Sequence, residues 1–162
     1  IAYLRESMIS SAYDRLGTPY NNFCRMGETS YDCSGLIGWS LRRAGATQLK
    51  GGAKQFRETT ASGLAHLELL YYNGKKFPLK YVSKSSGDVN SIPLLQRGDL
   101  VFLVGETQPR ISHVMIYLGD MRVIHSTTVT DFYRGTLVAG FRPELQKLFT
   151  NALRIIDPNV KP

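Results

Sequence analysis

Several features that define other protein classes are missing from this chain of 162 residues. No apolar run approaches the ~20 residues that a membrane-spanning helix needs, and no stretch resembles a secretory signal peptide or an internal repeat. The basic residues form no long run, and the aromatic residues do not follow the pattern of an RNA-binding strand. We therefore expect no transmembrane segment and no nucleic-acid partner.

Cysteine and histidine are also scarce, with two and three residues respectively. Their spacing does not match that of a zinc site, so we expect neither a metal nor another cofactor. In a secreted protein Cys24 and Cys33 could form a disulfide. That bond would close only a short loop and would consume the thiol of Cys33, so the state of Cys24 stays open.

What the chain does contain is typical of a globular domain: 43% of the residues are hydrophobic and 20% are charged. The length fits a single domain covering residues 1–162. The net charge of +7 suits acidic partners such as anionic polymers or a bacterial wall, or serves solubility alone. Because residue 1 is Ile rather than Met, we expect this chain to be part of a longer protein.

Hydrophobic periodicity predicts helices in the first part of the chain. Apolar residues recur at helical spacing over residues 1–16, and a second helix follows from Cys33 to a stop at Gly45. Asp32 is a plausible N-cap of this second helix. A short helix within residues 53–64 is also expected.

The later part of the chain changes to a period of two, which predicts strands. The dipeptide Asn73-Gly74 predicts a hairpin between residues 67–72 and 77–82, whereas the polar residues 83–91 predict a loop. The fold class is therefore α+β, with N-terminal helices packed on a central antiparallel β-sheet. Further strands are expected at residues 100–104, 111–118, 121–127, 137–141 and 152–156.

Cys33 is the first candidate for chemistry, because it lies at the start of a predicted helix. A helix N-terminus carries unpaired N–H groups and a partial positive charge. Both favour the thiolate, which is the nucleophilic form of cysteine. We therefore expect a reactive thiol at Cys33.

Two of the three histidines, His113 and His125, fall on neighbouring predicted strands. Cysteine peptidases need a thiol, an imidazole that takes its proton and a third group that orients the imidazole. A strict two-residue hairpin at Gly119-Asp120 would place the two histidines on opposite faces of the sheet. An odd-numbered loop or a β-bulge would place them on one face, and we predict one of these two.

Five short motifs, taken in chain order, resemble those of the NlpC/P60 cysteine peptidases, a family with a papain-like fold that acts on bacterial cell walls. The separation of 12 residues between His113 and His125 also resembles the family's spacing. Residues 64–91 look longer than in minimal members, which predicts an insertion there. The motifs are Leu16-Gly17-Thr18-Pro19-Tyr20, Asp32-Cys33-Ser34-Gly35, Gly98-Asp99-Leu100-Val101-Phe102, His113-Val114-Met115-Ile116-Tyr117-Leu118-Gly119 and Val123-Ile124-His125-Ser126.

The resemblance implies a role for each candidate residue. Cys33 would be the nucleophile, His113 the base and His125 the residue that orients His113. Tyr20 would help to hold the oxyanion, together with a backbone N–H at the helix start. Asp32 and Ser34 would line the substrate groove or, equally well, only cap the helix, whereas Asp99 is expected to be a turn residue.

The resemblance also implies a function, with two alternatives. The expected activity is a cysteine endopeptidase that cleaves stem peptides of bacterial peptidoglycan, at the bond between D-γ-glutamate and the diamino acid. The alternatives are a non-catalytic wall-binding module on the same fold and a related thiol amidase or acyltransferase. The family implies a secreted or envelope-associated protein, with possible wall-binding domains outside this chain.

Overall fold

Helices and strands of the computed structural model are described over residues 3–20, 32–51, 60–107, 109–127 and 135–159. Two longer helices, α1 (Tyr3–Tyr13) and α2 (Cys33–Ala44), pack against each other. Two single-turn helices, α3 (Ala61–Leu64) and α4 (Pro143–Gln146), and a 3₁₀ helix at Val89–Leu94 connect the strands. No helix among these residues is long and apolar enough to cross a membrane.

The strands of the described residues form one sheet, and each neighbouring pair is antiparallel. Helix α2 packs against the strands Ile111–Gly119 and Arg122–Thr127, so the predicted α+β architecture is confirmed. Numbered in chain order, the sheet runs β1-β2-β3-β8-β4-β5-β6-β7. The strands are β1 (Ala46–Lys50), β2 (Leu69–Tyr72), β3 (Lys75–Tyr81), β4 (Leu100–Val104), β5 (Ile111–Gly119), β6 (Arg122–Thr127), β7 (Gly135–Gly140) and β8 (Phe149–Ile155).

Helix α2 begins and ends where the sequence predicts. The Asp32 carboxylate accepts the Gly35 N–H at 2.6 Å, which satisfies one of the unpaired donors of the first turn. At the other end Gly45 adopts a left-handed conformation with φ of 111°, which a side chain would oppose. The helix therefore has a fixed first turn, and Cys33 is its first residue.

The centre of the sheet is buried on both faces, which explains the unbroken apolar run of β4. Leu100 and Phe102 join the cluster that contains α2, whereas Val101 and Leu103 join a second cluster on the opposite face. Each large apolar side chain that is buried in this way contributes about 1.5–3 kcal/mol. Strands β4, β5 and β6 thus form a rigid platform for the side chains that they carry.

The segment predicted as an insertion, residues 64–91, adds β2 and β3 to the sheet at the end away from β5 and β6. The predicted hairpin at Asn73-Gly74 is confirmed, because Tyr72 pairs with Lys75 across these two residues. Asn73 and Gly74 have φ of 51° and 74°, as the tight turns that suit a right-twisted hairpin require.

Some predicted boundaries were wrong. The sequence did not indicate the edge strand β1, residues 83–91 were expected to be a loop throughout although the 3₁₀ helix begins at Val89, and β8 begins at Phe149 rather than at residue 152. The start of β8 was missed because the polar Asn151 is typical of a loop. In the structure its side chain is buried and bonds to the backbone N–H and the carbonyl of Ser83, each at 3.0 Å. Of the predicted helix within residues 53–64 the structure describes only α3, since residues 53–59 lie outside the described ranges.

Candidate active site

The thiol of Cys33 lies against the strand that carries His113. Cys33 is a free cysteine, only 7% exposed. Its Sγ lies 3.9 Å from the carbonyl oxygen of Ser112 on β5, within the range of a weak thiol hydrogen bond. The start of α2 and the start of β5 therefore meet at this thiol.

The environment of Cys33 favours the neutral thiol, contrary to the expectation from the helix start alone. Burial raises the pKa of Cys33 to about 11, and the neighbouring negative charge of Asp32 adds to this effect. Hydrogen bonds from backbone N–H groups, among them those of Val114 and Ser34, act in the opposite direction. The favourable helix end is thus present, but desolvation of the charge outweighs it.

The two histidines lie on one face of the sheet, because the β5–β6 hairpin contains an irregularity of the kind predicted from the positions of His113 and His125. Ile116 pairs with Ile124 and Tyr117 with Val123, but Gly119 then pairs with Arg122, so the register shifts between Tyr117 and Gly119. The predicted bulge is confirmed. Continuing this register along β5 and β6 puts His113 diagonally across from His125 rather than directly opposite it.

His113 and His125 are joined by a short hydrogen bond. Nε2 of His113 and Nδ1 of His125 lie 2.7 Å apart, and the two ring centroids are separated by 4.9 Å. His125 is buried at 3% exposure, whereas His113 is half-buried. Because Nε2 of His113 is engaged by His125, Nδ1 is the ring atom that His113 has left for another partner.

Burial keeps both imidazoles neutral. It lowers the pKa of His113 to about 4 and that of His125 to about 3, and the neighbouring charge of His113 lowers the latter further. Near neutral pH the site therefore holds an uncharged thiol and two uncharged imidazoles.

A second bulge lies beside His113. Leu103 pairs with His113, and the next pair is Val104 with Ile111, so Ser112 is the extra residue of β5. Bulges bend a strand and re-aim its side chains. No sequence pattern pointed to Ser112, although it directly precedes the His113 motif.

The remaining predicted residues are distributed as follows. Asp32 and Ser34 are both buried, and the Ser34 hydroxyl donates to the Asp32 carboxylate at 3.3 Å. Their capping contacts are thus visible, and their role in a groove stays a prediction. Tyr20 is half-buried and directly follows Pro19, whose backbone forms a β-bridge with Gly135 of β7.

Asp99 closes a turn, as predicted from the sequence, because its N–H donates to the Gln96 carbonyl at 2.9 Å. It is fully buried, and its carboxylate accepts two hydrogen bonds of 2.9 Å from Arg154 and one of 2.7 Å from the Gln96 N–H.

Cys24 lies outside the described residues. Within them, no cluster of three or more Cys, His, Asp or Glu residues could hold a metal ion.

The structure is a mixed α+β fold in which a helix that starts at a cysteine packs on an antiparallel sheet. The model of the NlpC/P60 family matches residues 17–136. This chain therefore belongs to the NlpC/P60 family.

A curated relative and several solved structures agree with this assignment. The bifunctional muramidase/DL-endopeptidase CwlT of Bacillus subtilis is 29% identical over 122 residues, which are 75% of this chain and 29% of CwlT. This chain thus spans less than a third of that relative's length.

Among solved structures, NlpC2 of Trichomonas vaginalis has a TM-score of 0.60 at 20% identity and is matched over 95% of this chain and 46% of its own. An NlpC/P60 family protein of Bacillus cereus has a TM-score of 0.55 at 22% identity, over 94% and 40% of the two chains. At these identities the structures show a shared fold.

Proposed function

We propose that this chain is a cysteine endopeptidase that hydrolyses stem peptides of bacterial peptidoglycan, with Cys33, His113 and His125 as its catalytic triad. The observation that carries the proposal is the 2.7 Å bond between His113 and His125. The Cys33 thiol lies against β5, the strand that carries His113. Family membership supports a peptidase, and the relative CwlT is named a DL-endopeptidase.

In the proposed reaction the proton of the thiol moves to Nδ1 of His113 as Sγ attacks the substrate carbonyl. When both rings are neutral, His113 can donate from Nε2 to Nδ1 of His125, which leaves a lone pair on Nδ1 of His113. The resulting imidazolium gives its proton to the leaving amine, and a thioester remains on Cys33. Water then hydrolyses the thioester and regenerates the thiol.

The negative charge that develops on the carbonyl oxygen needs donors. The first turn of α2 supplies backbone N–H groups, which in any helix have no partner within the helix. In our proposal Tyr20 adds a hydroxyl donor, and Asp32 and Ser34 border the substrate. Donors of this kind are worth about 10²–10³ in kcat.

The proposed target is the bond between D-γ-glutamate and the diamino acid of the stem peptide. Stem peptides carry free carboxylates, and the net charge of +7 favours their approach. This substrate also implies a secreted or envelope-associated protein, and further wall-binding domains outside this chain would be consistent with it. The chemistry requires no cofactor.

Digestion of purified peptidoglycan under reducing conditions tests the proposal. The wild type should release fragments with new amino termini on the diamino acid, identified by mass spectrometry, and Cys33→Ala should release none. Ser40→Ala is the matched control, because this residue is also buried in α2 and its hydroxyl has no hydrogen-bond partner among the residues that the structure describes. It should digest like the wild type.

Two outcomes would contradict the proposal. Binding of wild type and Cys33→Ala to insoluble wall, without fragments from either, would indicate a non-catalytic module. Release of fragments by both proteins would show that Cys33 is not the nucleophile.

A further inference from the structure

The turn before Tyr20 is held against β7, the last strand of the sheet among the described residues. The Gly17 N–H donates to the Thr136 carbonyl, and the Thr136 N–H donates to the Thr18 carbonyl, both at 2.9 Å. Pro19 then forms the bridge to Gly135. Residues 17–19 therefore act as a short additional strand beside β7.

A pair of hydroxyl groups reinforces this backbone pairing. The Oγ1 atoms of Thr18 and Thr136 lie 3.0 Å apart, and the Thr18 hydroxyl donates to the Arg15 carbonyl at 2.7 Å. Thr136 is only 1% exposed. Because the Thr136 partner is buried, leaving this bond half-made is costly, so the bond fixes the turn in one position on β7.

Gly135 allows the turn to approach this closely. A Cβ at this position would overlap the carbonyl oxygen of Thr18 and would lie 3.1 Å from the Thr18 carbonyl carbon. At the other end of the same strand a Cβ on Gly140 would meet only the Arg142 side chain, at an ordinary contact distance of 3.5 Å. The requirement for glycine is thus specific to the end of β7 that faces the turn.

The same end of β7 lies beside the strand that carries His125. Thr136 pairs with Ser126, and the next pair joins Leu137 to His125. The turn that ends in Tyr20 is therefore attached to β7, and β7 pairs with β6, the strand that carries His125.

We propose that Thr18, Gly135 and Thr136 form a clamp whose task is to position Tyr20 for its proposed contact with the oxyanion. The inference rests on the proposed peptidase function and adds to it three positioning residues, which act through Tyr20 and do not themselves contact the substrate. Gly17 has φ of 87°, a conformation that glycine adopts without strain. The clamp holds the turn in this one conformation. Misplacement of such a group by about 1 Å can cost 10²-fold in rate.

A double-mutant cycle tests whether the clamp acts through Tyr20. With a soluble stem-peptide fragment as substrate, Thr136→Val should lower kcat about five- to tenfold, the equivalent of one lost hydrogen bond, with KM little changed. Thr136→Ser, which keeps the hydroxyl, should restore most of the rate. In a Tyr20→Phe background the same Thr136→Val change should lower kcat less than about twofold, because residues in one network are not additive.

An equal loss of kcat in both backgrounds would overturn the proposal, because it would mean that Thr136 supports the fold or His125 rather than Tyr20. No loss in either background would overturn it as well.

Hydrogen exchange provides a readout that does not depend on activity. Gly135→Ala should speed exchange of the Gly17 and Thr136 amides, whereas Gly140→Ala should leave both unchanged. Unchanged exchange in Gly135→Ala refutes the clamp alone. A wild type without activity on any stem peptide refutes the proposed function and the role of Tyr20, even where exchange shows that the clamp exists.

Discussion

Two polar pairs in the same sheet, each partly buried, have opposite characters. Asp99, just before β4, and Arg154 of β8 form an ion pair in which both carboxylate oxygens accept bonds of 2.9 Å. His113 and His125 share a single bond of 2.7 Å, and burial lowers the pKa of each ring so that both are neutral. The Asp99–Arg154 pair is an ion pair bonded at both carboxylate oxygens. The His113–His125 pair is neutral, and its bond uses only one of the two nitrogens of each ring.

The difference separates a structural role from a chemical one. A carboxylate held by a guanidinium and a backbone N–H is bonded at both oxygens, and removing the guanidinium would leave the buried carboxylate without its counter-charge. A neutral imidazole with one nitrogen fixed by a neighbour can take up a proton on the other and return it. We therefore expect the ion pair to determine stability and the histidine pair to determine activity.

The largest expected effect is on activity. Changing His113→Ala should lower kcat by about 10⁴-fold, since the base and the nucleophile act as one unit. The free energy of unfolding should change far less, and far-ultraviolet circular dichroism should be unaltered. The experiment compares fragment release with a thermal melt of the same preparation. Activity within tenfold of the wild type would remove His113 from the mechanism.

The opposite result is expected for the ion pair. Changing Arg154→Met leaves the fully buried Asp99 without its partner, which should reduce the free energy of unfolding by about 3 kcal/mol. At a temperature where the variant is folded, kcat should stay within about twofold of the wild type. Urea denaturation gives the stability and stem-peptide cleavage gives the rate.

The matched control is Arg97→Met. Arg97 and Glu6 form an ion pair of the same length, but their side chains are 45% and 54% exposed. An exposed pair contributes less than about 1 kcal/mol. If both variants lose equal stability, burial is not what distinguishes the two ion pairs.

Local patterns were sufficient to predict much of this fold. The run Leu100–Val104, the Asn73-Gly74 turn and the ends of α2 at Asp32 and Gly45 each depend on neighbouring residues only, and each is confirmed. The edge strand β1 and the start of β8 depend on partners far away in sequence. Asn151, for example, reads as polar loop until its contacts with Ser83 are known.

The candidate site shows the same limit. Side chains alternate between the two faces along β5 and β6. With a bulge in the hairpin, this alternation was enough to predict that the two histidines share a face. The protonation state of Cys33 was not predictable in this way. A helix start is visible in the sequence, whereas the desolvation that opposes it arises from tertiary packing against β5.

That protonation state leads to the last expected effect, on the reactivity of the thiol. A thiol whose pKa is raised to about 11 is protonated at neutral pH, and each pH unit below that value lowers its thiolate fraction tenfold. Alkylation of Cys33 by chloroacetamide should therefore climb about tenfold per pH unit from pH 6 upward. At pH 7 the thiolate fraction should be about 100-fold below that of a solvent-exposed thiol, whose ordinary pKa is 9.0.

The slope of this profile, rather than its absolute rate, is the readout, because burial also slows access of the reagent. The measurement uses a Cys24→Ser background, so that Cys33 is the only cysteine. His113→Ala should leave the slope unchanged if the resting pair is neutral. A flat profile between pH 5 and 8 that His113→Ala abolishes would show a preformed thiolate–imidazolium pair. The histidines would then resemble the Asp99–Arg154 pair in holding charge at rest, and the contrast between the two pairs would lie in access to substrate rather than in ionisation.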